Sequence, residues 1–220
     1  MACPIAWCDT APMAQTGITT NLAELLHSYR GLPRGERRAI VENIESRYAA
    51  ERTIMIGDMP GFTRRVQHEG IVHYLSLIYE MRRVTRAVIE RHSGYLFKAD
   101  ADNVFGAFFT LDACVDASLE IQRSLDELNR GVPEEDRVWV GLGIAHGTVL
   151  AIEQDDVWGQ AINFASKLGE DLAGAGEILA HESALSAFDA RGIPVIRRET
   201  EVSGVALPYG LIDWRLSWTG

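Results

Sequence analysis

Cysteine is scarce in this chain of 220 residues: Cys3, Cys8 and Cys114 are an odd number at no framework spacing, so no disulfide scaffold is read. Cys114 falls in an expected amphipathic helix and reads as a small buried thiol. Cys3 and Cys8 form a lone pair without a second pair or histidines, a poor metal site. Basic residues are also short, with 21 Lys and Arg against 31 Asp and Glu and a net charge of −10. That balance excludes a non-specific nucleic-acid binder, whose surface must carry cations to displace counterions. It also requires any polyphosphate ligand to arrive with metal ions. No apolar run approaches the length of a bilayer span. The opening Met1-Ala-Cys-Pro-Ile-Ala-Trp-Cys-Asp9 lacks the basic and apolar regions of a secretory signal. The expectation is a cytoplasmic protein with neither nucleic acid nor membrane as partner. Internal repeats and low-complexity tracts are missing too.

What is present is ordinary for one globular core, with 47% hydrophobic and 24% charged residues. Residues 1–20 read as a flexible tail, 21–51 as a helical extension and 53–220 as the main domain. Asn21 to Arg30 reads as a helix capped by Asn21, with Glu24 three residues on. Gly31-Leu-Pro33-Arg-Gly35 breaks it. A second helix, about Glu36 to Glu51, carries Ile40, Val41, Ile44 and Tyr48 on one face. It suits a brace on the domain or a partner subunit, or a helix that transmits a signal.

From residue 53 the pattern changes. Thr53–Gly57 reads as a buried strand ending at Gly-Asp and Pro60-Gly61. A long helix follows with Ile71, Leu75, Ile78, Met81 and Val88 inward; His73 lies on its solvated face. Tyr95–Lys98 and Val104–Phe108 form a hairpin with Asp100, Asp102 and Asn103 at its turn. A helix over Asp112–Asn129 is followed by a second expected hairpin, Val138–Ile144 and Thr148–Ile152, around His146-Gly147. A third helix runs from near Gly159 to before Gly174. Glu177–Ala180, a short helix over Glu182–Phe188 and strands near Val195 and Leu211 complete an α+β sandwich, helices covering one mixed or antiparallel sheet.

Asp58 closes the first strand and Asp102 occupies the turn between the next two. If those strands are neighbours, the carboxylates meet at one sheet end, where they repel unless Mg²⁺ or Mn²⁺ is shared. Asp58-Met59-Pro60-Gly61-Phe62-Thr63 also leads into a helix whose free N–H groups form a phosphate cradle, with Gly61 permitting close approach. Read alone, Asp58 is equally a turn residue and helix cap. Asn163 and Lys167, four apart, share a helix face; that face could simply be solvated, with Lys167 paired to Glu170 or Asp171. Lys98 and Asp156 by themselves read as a surface lysine and a loop acid.

Taken together, these segments resemble class III nucleotidyl cyclases. Asp58-Met-Pro-Gly-Phe-Thr63 is similar to their D-x-x-G-F-T signature and Lys98-Ala-Asp-Ala-Asp102 to their K-x-x-x-D element. Asp156-Val-Trp-Gly-Gln-Ala-Ile-Asn163-Phe-Ala-Ser-Lys167 resembles their D-x-W-G-x-x-V-N-x-x-x-R stretch. Gly143-Ile-Ala-His146-Gly147 approximates their G-I-H-T-G turn with its histidine shifted. The resemblance spans about residues 53–214 and implies a sandwich derived from the ferredoxin-like fold.

The resemblance further implies that Asp58, Asp102 and the Met59 carbonyl hold two Mg²⁺ or Mn²⁺ ions per site, that Gly61, Phe62 and Thr63 cradle phosphate, and that Lys98 and Asp156 read the base. Asn163 would orient the ribose and Lys167 would stabilise charge on the α-phosphate. The implied assembly is a head-to-tail homodimer with each site shared between chains. A lysine donor and an aspartate acceptor match adenine N1 and N6 and mismatch guanine. Cytosine shows the same polar order, so the code excludes GTP and UTP better than CTP; ATP is the expected substrate, with cyclic AMP and pyrophosphate the products. Alternatives are CTP before GTP, or a non-catalytic nucleotide- or partner-binding domain. Departures from the family favour the latter: Lys167 stands in place of arginine and loses its planar fork, and Gly141 and Ser203 stand where basic residues hold triphosphate. Arg64 and Arg65 are candidates to replace that charge. The stretch from Gly147 to Asp156 is short, so the usual dimer arm is trimmed and residues 21–51 could supply interface instead.

Overall fold

The computed structural model describes residues 22–152, 157–202 and 204–216, with the backbone alone for residues 62–65. The flexible tail expected over residues 1–20, the Asn21 cap, Asp156 and Ser203 lie outside the described residues.

Two short helices lead in, α1 (Leu22–Gly31) and α2 (Arg38–Tyr48). Pro33 and Gly35 interrupt helical bonding between them, leaving a single 3₁₀ turn at Arg34–Glu36. Ile44 is the buried residue of α2, flanked on its face by half-buried Ile40, Val41 and Tyr48, as the spacing predicts. α1 packs on α2, and α2 on the sheet. The second helix ends sooner than expected, because Ala49 is already extended and opens β1 (Ala49–Asp58). Helical extension and domain are therefore joined without a linker.

The remaining elements follow as α3 (Phe62–Glu69), α4 (Ile71–Arg91), β2 (Tyr95–Asp100), β3 (Asn103–Phe108), α5 (Leu111–Leu128), β4 (Gly141–Ala151), β5 (Val157–Trp158), α6 (Gln160–Ser166), β6 (Ile178–His181), α7 (Glu182–Ala190), β7 (Val195–Val202) and β8 (Val205–Ile212). A π-helical segment, Lys167–Leu172, continues α6. The strands form one mixed sheet in the order β2-β3-β1-β4-β6-β8-β7, with β5 added beside β4. Among the described strands, β4 and β6 are the pair that run parallel. This is the expected α+β architecture. No described helix is long and apolar enough to cross a membrane.

Strand alternation sorts the core into two layers. Met55, Val104, Phe108, Leu142 and Ile144 face α4, α5 and α7. Ile54, Ile56, Ala107 and Ala145 face α6 with Ala161 and Ala165. Thr110 caps α5 by accepting from the Ala113 N–H at 3.2 Å.

Further expectations are corrected. The hairpin around His146-Gly147 does not form: β4 runs unbroken through both residues, pairing His146 with Thr53 and Gly147 with Arg52 of β1. Ten consecutive pairs with β1 outweigh the local turn preference of a His-Gly dipeptide, and β5 pairs antiparallel with the far end of β4, Ala151 opposite Val157. The inward face of α4 is also rotated in its first turns. Ile71 and Leu75 are 49% and 53% exposed, while Tyr74 and Leu77 are buried. Gly70 breaks the expected long helix in two, so α4 starts afresh at Ile71 with its own phase. His73 is less solvated than expected; its Nε2 lies 3.1 Å from the Glu135 carbonyl.

Candidate active site

The order of the sheet decides which chemistry-bearing residues meet. β1 is central, with β3 on one side and β4 on the other. Its last residue, Asp58, pairs with Gly141 at the start of β4, and Gly57 pairs with Val104 of β3. The β2–β3 turn, Ala101-Asp102, therefore lies at the same sheet end as Asp58. Asp100 pairs with Asn103 across a two-residue turn that holds Ala101 at φ 45°, in the left-handed region.

Asp58 carries the mark of burial and of the neighbouring carboxyl. Asp58 is pushed up to about 6, first by burial and then by the Asp102 charge, with Glu170 and Asp171 adding to the effect. A hydrogen bond from the Met59 N–H works in the opposite direction. A half-buried acid that is disfavoured as an anion by a second acid is suited to a shared divalent cation. The donor set of two carboxylates and a main-chain carbonyl is oxygen only, matching a hard ion such as Mg²⁺ or Mn²⁺ rather than zinc. No third His, Cys, Asp or Glu joins them in a metal-sized cluster among the described residues.

Tyr74, from the buried face of α4, ties this corner together. Its hydroxyl donates to Asp102 Oδ2 at 3.0 Å and lies 3.4 Å from the Met59 carbonyl oxygen. Two turns further along α4, Arg82 donates to the Ala101 carbonyl. Neither residue stood out in the sequence; the available signal was the alternative apolar stripe Tyr74, Leu77, Ile78, Met81, to which Tyr74 adds a polar tip.

Gly61 opens α3 with φ 89°, and among the described residues no atom lies within 4 Å of a notional Cβ there, so the backbone can be approached closely, as a cradle needs. The side chains of Phe62, Thr63, Arg64 and Arg65 lie outside the described residues. Gly141 has no such room: a Cβ there would stand 2.8 Å from the Ala173 Cβ and carbonyl oxygen. No basic side chain fits at that position without displacing the segment after the π-helix.

Lys98 stands on β2 just past a bulge, since the register slips by one residue between Leu96 and Lys98. Its ammonium lies 3.3 Å from Asp100 Oδ2 and over the Phe105 ring, with the side chain half exposed. Asn163 and Lys167 line one side of a cleft of ≈ 360 Å³ between α6 and the β7–β8 hairpin, with Phe164 and Leu207 nearby. Phe164 stacks on His181 at 4.2 Å, which fixes the pitch of α6. Lys167 is held by Asp171 at 2.6 Å, the contact that raises its pKa. The structure thus brings Asp58, Met59, Gly61 and Asp102 to one sheet end; Lys98 stands on β2, and Asn163 and Lys167 line the α6 cleft, with Lys167 tied to Asp171, an acid whose charge reaches Asp58. His146 belongs to neither group; it sits mid-strand, 3.0 Å from Thr53 Oγ1.

No family model matches this chain. A protein of Rhizobium meliloti named "Putative adenylate cyclase 3" is 26% identical over 137 residues, 62% of this chain and 22% of that protein. A serine/threonine-protein kinase of Myxococcus xanthus, pkn2, is 28% identical over 126 residues, 57% of this chain and 15% of that protein. The chain therefore aligns with less than a quarter of either relative's length. Among solved structures, an adenylate/guanylate cyclase/hydrolase from Silicibacter pomeroyi superposes with a TM-score of 0.67 at 22% identity, covering 74% of this chain and 95% of that one. The guanylyl cyclase Cya2 gives 0.64 at 21% identity over 74% and 92% of the two chains. The adenylyl cyclase CyaB from P. aeruginosa gives 0.61 at 19% identity over 74% and 94%. The fold is that of the class III nucleotidyl cyclase catalytic domain, and adenylyl and guanylyl enzymes both share it.

Proposed function

We propose that this chain, built on the class III cyclase fold, converts ATP to 3′,5′-cyclic AMP and pyrophosphate at sites shared between two copies. The observation that carries the reading is the convergence of Asp58 and Asp102 at one sheet end, where the Tyr74 hydroxyl contacts both Asp102 and the Met59 carbonyl. These groups would hold two Mg²⁺ or Mn²⁺ ions. Such ions would supply a lowered pKa for the ribose 3′-hydroxyl and charge neutralisation for the pyrophosphate. The chain's own groups bind and orient. Backbone N–H groups at the start of α3 take phosphate oxygens. From the second copy, Lys98 donates to adenine N1 and Asp156 accepts from N6. Asn163 orients the ribose, and Lys167, released from Asp171, stabilises the α-phosphate as the 3′ oxygen attacks in line. The exposure of Asn163 and of half the Lys98 side chain suits residues that are completed by another copy.

Incubating the purified protein with ATP, GTP, CTP and UTP in turn, with Mg²⁺ or Mn²⁺, tests the proposal. Cyclic AMP as the main product supports it; a different cyclic nucleotide would revise the base assignment to Lys98 and Asp156. A second reading, a nucleotide-binding domain without turnover, is favoured by Lys167 engaged with Asp171 and by the filled space at Gly141. Nucleotide binding with no cyclic product from any of the four would establish it.

A further inference from the structure

We infer that Tyr74 is a positioning residue for the metal-binding carboxylate Asp102, an inference that rests on the metal assignment proposed above. Six tyrosines occur in the chain, and Tyr74 is the one that is buried, at 0% exposure. A buried phenol needs a hydrogen-bond partner, and any spare carbonyl of its own layer would serve. Instead its hydroxyl reaches out of the core to two members of the proposed ligand set, Asp102 Oδ2 at 3.0 Å and the Met59 carbonyl at 3.4 Å. These belong to separate segments, the β1–α3 loop and the β2–β3 turn, and the phenol spans them.

A phenol has one proton. The shorter, charge-assisted bond takes it, so Oδ2 of Asp102 is engaged by Tyr74 and Oδ1 is left to face a cation. The same helix fixes the turn from a second point, because Arg82 lies eight residues on, along the same face, and donates to the Ala101 carbonyl. Ala101 is a non-glycine residue at φ 45°, a conformation that needs such support. α4 therefore orients both the backbone and the carboxyl group of Asp102. This is the relation by which outer hydrogen bonds orient metal ligands.

Tyr74→Phe keeps the ring and removes the hydroxyl. With Mn²⁺ alone, followed by the EPR signal of the free ion, the variant is expected to bind about tenfold more weakly than the parent. In the cyclase assay its half-saturating Mn²⁺ concentration should rise by a similar factor while KM for nucleotide and base preference stay put. A tyrosine that merely fills the core would not divide the two constants. Asp102→Ala serves as the reference. If Asp102→Ala loses Mn²⁺ binding and Tyr74→Phe does not, the role of Tyr74 is overturned and the metal assignment stands. If both variants bind Mn²⁺ like the parent, the assignment itself fails and takes this inference with it. The unmodified protein gives a check independent of the variant's folding. With ¹³Cζ-tyrosine, saturating Mg²⁺ should shift the resonance of the solvent-shielded ring, and an unmoved resonance overturns the inference.

Discussion

Asp58 shows how much one neighbour and partial burial change a side chain. A free aspartate ionises near 4, whereas this one is pushed up to about 6, chiefly by burial and then by Asp102. Because the folded state holds its proton more tightly than the unfolded chain, this group's contribution is fully present below the unfolded pKa. It is lost as pH rises through about 6. Thermal melts in EDTA should therefore show stability falling between about pH 4 and pH 6 relative to Asp58→Asn, which lacks the titration. Metal binding has the opposite dependence. Mn²⁺ must displace that proton, so its affinity should fall by about tenfold per pH unit below 6 and level off above. An affinity flat from pH 5 to 7 would mean that Asp58 does not hold the ion. Lys167 makes a second residue-scale case. Lys167→Ala should lower turnover by about a hundredfold if the ammonium stabilises the α-phosphate, and Lys167→Arg should raise it above the parent by restoring a fork. Initial rates at saturating nucleotide decide both.

At the scale of elements, α6 and its π-helical continuation lie against β1 and β4 with no space to spare. A Cβ on Gly143 of β4 would stand 2.2 Å from the Ala165 carbonyl oxygen, and one on Gly169 would stand 2.3 Å from the Ile56 carbonyl oxygen. Both obstacles are backbone, which cannot swing aside. Gly143→Ala or Gly169→Ala should each destabilise the domain by about 2–3 kcal/mol, read by denaturant unfolding. Activity should fall as well, because α6 carries Asn163 and the segment after it carries Lys167. This closeness was not legible in the sequence, where Gly143 read only as part of a turn motif and Gly169 fell within the expected third helix. The core of β1, the β2–β3 hairpin with its turn at Asp102 and the α5 helix were legible, because strand and helix spacing leave a direct mark. The phase of α4 was not, since Ile71 and Leu75 fit a helical stripe as well as Tyr74 and Leu77 do. Only the break at Gly70 separates the two sets. His146-Gly147 misled for a related reason: a local turn signal cannot report the long pairing with β1 that overrides it.

The whole molecule adds the question of copies. If each site takes metal ligands from one chain and base- and ribose-binding groups from another, Asp58→Ala and Asn163→Ala are each inactive alone. Mixed in equal amounts, they should recover about a quarter of parental activity, since half the dimers are mixed and each has one intact site. No recovery after exchange is verified by sizing and mass measurement would place both halves of the site in one chain. Removing residues 22–48 asks a separate question, whether α1 and α2 supply part of the interface. Loss of the dimer with the fold preserved is the expected result, measured by light scattering.

One feature of the N-terminal half bears on how such a molecule could be controlled. α2 runs straight into β1, whose ten residues start beside the helices at Ala49 and finish at Asp58. That strand is roughly 30 Å long and is clamped between two neighbours along much of its length. A push on the helices cannot make it creep, because a slip of one residue would turn Asp58 to the opposite face. What can pass along it is torque: a change in tilt or twist applied at one end arrives at the acidic end as reorientation of a single carboxylate.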